Sequence, residues 1–200
     1  MRAARARAPR TWLTLLLVAA CDVPAAVDDA DARAEDTTDD GTEDDEPTWG
    51  EPVRLAVTSA WALASAEDDP LADERPATVD CPVAAWGPEA GGLEIQTGAC
   101  NYFFATQPSR AAIEPGDAID VVAFHQGLDA PEPAEGHVAI LVGGAVIWEA
   151  YVEIPADASV IEARVIAAQA WPAGTPVGVH LHNHGYNAWT VLDVSLAPQQ

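Results

Sequence analysis

From Leu93 onward the chain is written in short apolar runs separated by turn residues, and no stretch keeps the 3.6-residue apolar period of a helix. The runs predict strands at Leu93–Thr97, Asn101–Gln107, Ala118–His125, His137–Val142, Ala145–Ile154, Ser159–Gln169, Pro176–His184 and Trp189–Leu196. Gly98, Pro115-Gly116, the proline-rich stretch Leu128–Glu135, Gly143-Gly144, Pro155, Pro172-Ala173-Gly174 and Gly185 punctuate them. Gly143-Gly144 between two apolar runs signals a two-residue hairpin, because the preferred turns there need positive φ. Within Ile147–Glu153, Ile147, Glu149, Tyr151 and Glu153 share one face and Trp148, Ala150 and Val152 the other, as in a strand with one wet and one buried side. Eight strands at this spacing predict an all-β fold, an antiparallel two-sheet β-sandwich of jelly-roll-like form.

The first eighty residues follow other patterns. Met1–Arg10 carries four arginines and no acid, and an apolar run from Trp12 to Ala20 follows. A basic stretch before about ten apolar residues has the layout of a secretory signal and is too short to span a bilayer. The run ends Val18-Ala19-Ala20-Cys21, which resembles the lipobox of bacterial lipoprotein precursors. The resemblance implies cleavage after Ala20 and lipidation of Cys21; the alternative is an ordinary secreted protein with Cys21 free. Residues 22–47 then hold twelve acids against Arg33 alone and no aromatic residue. Such a segment buries too little to offset its ordering entropy, so it is expected to be a disordered acidic tether, with loose divalent-cation capture as its alternative role. The organisation expected is therefore 1–20 signal peptide, 21–47 lipidated cysteine and linker, 48–80 a partly ordered lead-in, and 81–200 the sandwich. Within the lead-in, Pro52–Ala64 reads as strand or short helix and Glu67–Pro76 as acidic loop.

Charge removes several function classes. The 200 residues hold 32 acids against nine basic residues, all arginine, for a formal net charge of −23. Nucleic-acid binding needs a cationic surface and is excluded; direct adhesion to anionic headgroups is disfavoured. A lysine-dependent phosphate loop and Schiff-base chemistry are excluded by composition. With Cys21 lipidated, Cys81 and Cys100 remain as a pair outside the cytoplasm and are expected to be bridged.

Gly91-Gly92-Leu93-Glu94-Ile95-Gln96-Thr97-Gly98-Ala99-Cys100-Asn101-Tyr102, Pro115-Gly116-Asp117 and the His180–Trp189 stretch are similar to galactose-binding-like jelly-roll domains of uncharacterised bacterial lipoproteins. That resemblance covers just over half of the chain. It implies a ligand-binding accessory domain rather than an enzyme, and it transfers no site residues.

The chemistry-bearing segment is His180-Leu181-His182-Asn183-His184. Alternation sets the three imidazoles on one face and Val179 and Leu181 on the other. His180, His182 and His184, with His137, are the candidate ligands for a divalent transition metal, the one cofactor the sequence suggests. His180 and His184 lie roughly 13 Å apart along a strand, so a single site needs two adjacent members plus His137, His125 or Glu149 from neighbouring strands. The spacing from Gly174 to His180-x-His182 resembles the first half of a cupin motif, but no acid follows in Asn183–Ala188. The bland reading of these histidines is a polar sheet surface bonded to turn carbonyls. Asn183, Tyr186, Asn187 and Trp189 are the candidate contacts for an organic ligand, with Tyr186 and Trp189 as platforms for a sugar ring. No Gly-x-Ser-x-Gly or His-Glu-x-x-His occurs. The reading is thus an exported, membrane-anchored lipoprotein of the cell envelope with a non-catalytic binding sandwich. Carbohydrate is its leading ligand class; a metal-dependent role and a structural role with an envelope protein partner are the alternatives.

Overall fold

Gly143 and Gly144 stand at φ 58° and 80° in a computed structural model of the chain, which describes residues 50–198. They close the hairpin between β7 (Ala134–Val142) and β8 (Ala145–Ile154), as the glycine pair predicts. In β8, Glu149, Tyr151 and Glu153 are exposed, while Trp148, Ala150 and Val152 are half-buried and packed on the core.

Two antiparallel sheets follow. The first runs β3 (Trp86–Glu89), β4 (Gly92–Gln96), β11 (Ala188–Leu196), β6 (Ala118–His125), β9 (Ser159–Ile166). The short β1 (Val53–Arg54) pairs with the far end of β11. The second runs β2 (Ala62–Leu63), β5 (Tyr102–Pro108), β10 (Pro176–Asn183), β7, β8. The fold is a two-sheet antiparallel, jelly-roll-like β-sandwich. All eight strands read from the apolar pattern are present, within one to three residues at their ends. β3 was not among them: Trp86-Gly87-Pro88-Glu89 has no alternation, and it is a strand because it hairpins onto β4.

The core lies between the sheets. Leu93, Ile95, Ile119, Val121 and Trp189 of the first meet Phe103, Val138, Ile140, Val179 and Leu181 of the second. Burying side chains of this size contributes about 1.5–3 kcal/mol each. A smaller apolar cluster sits on the opposite, outer face of the second sheet, where Tyr102, Phe104, Ala139 and Leu141 pack with Ala64 and Leu71.

That outer cluster exists because the lead-in folds back over the sheet. After β2, the chain makes two 3₁₀ turns, Ala66–Asp68 and Ala72–Glu74, and forms a strap across the outer face. Its fastening is polar. The buried carboxylate of Asp69 accepts hydrogen bonds from the Tyr102 hydroxyl (2.5 Å), the Leu71 amide (3.0 Å) and Arg75 (3.2 Å). The acidic stretch read as loop is therefore an ordered cover, and β1 and β2, from the Pro52–Ala64 part of the lead-in, belong to the sheets.

Cys81 and Cys100 are bonded, as expected, across a separation of 19 residues. The signal peptide, the lipidation of Cys21 and the acidic linker lie outside the described residues.

Candidate functional site

Antiparallel pairing builds a two-row lattice on the outer face of the second sheet. In one row His182 stands between Tyr102 of β5 and His137 of β7, and His137 is opposite Tyr151 of β8. In the next, His180 stands between Phe104 and Ala139, and Ala139 is opposite Glu149. The alternation that sent Val179 and Leu181 into the core delivers His180 and His182 to this face.

The strap then lowers Glu74 onto the lattice. Glu74 Oε2 lies 2.8 Å from His137 Nδ1, 3.4 Å from His180 Nε2 and 3.8 Å from His182 Nδ1. His137 Nε2 lies 3.1 Å from Glu149 Oε2, and the Tyr151 ring stacks on the His137 imidazole with centroids 4.2 Å apart. Tyr102 meets His180 edge-on at 5.1 Å. His180 is fully buried at 0 % exposure, and neither of its ring nitrogens has a hydrogen-bond partner. Its approach to Glu74 is close without being aligned as a hydrogen bond.

These surroundings bias the charges. Burial, followed by the like charge of His137, brings His180 down to about 4. Burial and the neighbouring His184 also lower His182. Glu74 is opposed by burial, but the hydrogen bond and charge of His137, with the charges of His180 and His182, outweigh it and hold the carboxyl below its ordinary value. Burial and the bond to Asp69 push the Tyr102 hydroxyl far above the usual tyrosine range, so it stays a donor.

Of the four histidines named as candidate metal ligands, His137 and His180 converge, His182 stands beside them, and His184 does not join. His184 is exposed past the end of β10, with its ring against His182 at 4.4 Å. His125 lies on the inner face of the first sheet against Trp189 at 4.9 Å, remote from the cluster. Glu149 takes the neighbouring place foreseen for it. Glu74 was missed: it lies 63 residues from His137 in an acidic stretch where no one carboxylate stands out.

The four candidate contacts for an organic ligand do not form one exposed surface. Trp189 is 1 % exposed and part of the inter-sheet core. Asn183 is 3 % exposed, and its amide donates to the Gly185 carbonyl at 2.9 Å. Asn187 shapes a turn at φ 98°, donating to the Gly127 carbonyl at 2.8 Å. Tyr186 alone presents its ring, at 54 % exposure. Tyr151, placed by alternation on the wet face of its strand, is equally open at 55 %.

No protein-family model matches the chain, and no curated protein sequence matches it. Solved structures do. A CBM4 protein is 15% identical over 76% of this chain and 97% of its own, with a TM-score of 0.41. TmCBM27, a carbohydrate-binding module with specific mannan recognition, is 10% identical over 76% and 98%, at 0.43. TmCBM61, solved in complex with β-1,4-galactotriose, is 9% identical over 61% and 88%, at 0.36. Each is a distant similarity, and the two sheets above stand on this chain's own strand pairings.

Proposed function

We propose that the protein is an exported, lipid-anchored envelope component whose β-sandwich binds carbohydrate without transforming it. Support for export and anchoring comes from the basic and apolar leader, the lipobox-like Val18–Cys21 and the acidic tether. The observation that carries the ligand class is the setting of Tyr151. Its half-exposed ring lies flat on the His137 imidazole at an interplanar angle of 6°, on the edge strand β8. Glu149 and Glu153 flank it on the same exposed face. A planar aromatic surface held against turning, with hydroxyl-accepting carboxylates on both sides, matches the apolar face and polar rim of a sugar ring.

A glycan array probed with the full chain tests this reading. A polysaccharide or oligosaccharide hit is expected. Tyr151→Ala should weaken it roughly tenfold, which is about 1.4 kcal/mol and the scale of one aromatic contact. Silence across broad glycan sets from folded protein would remove carbohydrate as the ligand class. Anchoring is tested separately: Cys21→Ala should release the protein from the membrane fraction with its sandwich still folded.

A further inference from the structure

Glu74, His137 and His180 each place one ligating atom within 4.8 Å of the other two. The Glu74 oxygen stands 2.8 Å from His137 Nδ1 and 3.4 Å from His180 Nε2. Ligands bound at about 2.0–2.1 Å around a tetrahedral ion stand roughly 3.3 Å from one another, so these separations already bracket what one ion requires. His182 Nδ1, 3.8 Å from the same oxygen, is the next ligand in reach.

Two further features separate this trio from an ordinary buried ion pair. The first is His180, wholly buried with neither ring nitrogen hydrogen-bonded. A buried polar atom without a hydrogen bond is destabilising, so a position needing only bulk would be better filled by leucine or phenylalanine. The second is the far side of His137, where Glu149 Oε2 faces Nε2 at 3.1 Å. In the metal-free protein His137 hydrogen-bonds a carboxylate from each ring nitrogen, and while Glu149 goes on accepting from Nε2 an ion can replace the proton on Nδ1. That atom is the one turned toward Glu74, and a carboxylate behind a histidine in this manner is the outer support of metal-bound imidazoles.

We infer that Glu74, His137 and His180, with Glu149 supporting His137, form a binding site for one divalent transition-metal ion of the zinc type. Two imidazoles and a single carboxylate suit zinc, cobalt, nickel or copper, and disfavour calcium and magnesium, which take oxygen ligands. The histidines belong to the sheet and Glu74 rides on the strap, so the ion ties one to the other. The Asp69–Tyr102 bond sets the strap in place beforehand, which limits the ordering that binding must supply. This site shares His137 and Glu149 with the face proposed for carbohydrate, but it does not rest on that reading, and its test contains no glycan.

The experiment uses the full chain, purified without an affinity tag, stripped by a chelator and titrated with zinc sulfate in a calorimeter. One tight equivalent per chain is expected above any weak uptake by the acidic stretch 22–47, with a rise in unfolding temperature. Cobalt(II) in its place should give the visible absorption of a four-coordinate ion. Glu74→Gln, on the surface of the strap, should abolish the tight equivalent while leaving the circular dichroism unchanged, and His137→Gln should do the same. Glu149→Gln should weaken it about 10- to 100-fold, whereas His184→Ala should bind as the parent does. Absence of a tight equivalent, or one that persists in both Glu74→Gln and His137→Gln, overturns the site. Unweakened binding by Glu149→Gln overturns the role given to Glu149.

Discussion

The hydroxyl of Tyr102 donates to the carboxylate of Asp69 at 2.5 Å, and this contact joins the strap to the sheet it covers. Both groups are buried, and the guanidinium of Arg75 lies over the Tyr102 ring at 5.1 Å while bonding the same carboxylate. Asp69 sits five residues before Glu74, so the fastening governs where Glu74 meets the histidines.

Tyr102→Phe should therefore act locally. Losing one hydrogen bond to a buried charge costs about 2 kcal/mol. Amide exchange should speed up across 64–75 well before it does in β10 or β7. A variant that lost stability with exchange unchanged in the strap would show that the hydroxyl does not fasten the strap.

Gly136 tests the placement of Asn183 and Trp189. A Cβ built on it would stand 2.6 Å from Asn183 Oδ1 and 3.0 Å from Trp189 Cζ2, inside a packed interior. Gly136→Ala should destabilise by about 1–3 kcal/mol in urea unfolding, the usual cost of overpacking. Gly98→Ala, whose new methyl would meet only Tyr186 at 3.7 Å, is the matched control and should be nearly neutral. Equal midpoints for the two variants would mean that this part of the interior is looser than described.

The disulfide should matter more than either. Cys100 is buried beside the start of β5, and the bridge closes a loop of 19 residues. Chain entropy assigns such a loop about 3 kcal/mol. For a domain of this size that is roughly 10 °C in unfolding temperature, so the double serine variant should melt lower by about that much. Thiol titration of unfolded, unreduced protein made in an oxidising compartment should find neither Cys81 nor Cys100 free.

Acid should weaken the metal-free protein in a defined window. His180 is held near 4 against an ordinary value of 6.5, so the unfolded chain takes up a proton there before the folded one does. The stability from keeping it neutral is fully present above about pH 6.5 and is lost as pH falls through about 4. The lowered values of His182 and Glu74 act in the same direction. The loss from His180 is on the order of 3 kcal/mol, read as a falling urea midpoint between pH 7 and 4.5 in the presence of chelator. His180→Leu should flatten that slope; an equally steep slope in this variant would place the acid sensitivity elsewhere.

Much of this architecture is written locally. Period-two alternation places Val179 and Leu181 opposite His180 and His182, and Gly143-Gly144 marks its hairpin, because side-chain parity and turn geometry are properties of neighbouring residues. The same parity sets Asn183 on the inner face with Leu181. That signal was available, and it argues against Asn183 as an exposed contact.

The amino-acid sequence by itself determined an acidic, lysine-free chain, the eight longer strands, its disulfide partners and the shared face of two histidines. Only the tertiary structure decided the site. Strand order seats β10 between β5 and β7, which brings His137 to the histidine face, and the strap carries Glu74 to the same point from 63 residues away. Contacts of that range depend on which strands pair and where a non-periodic segment packs. No local pattern encodes either choice, so a carboxylate among many acquires its role only when Asp69 and Tyr102 fasten the strap in place.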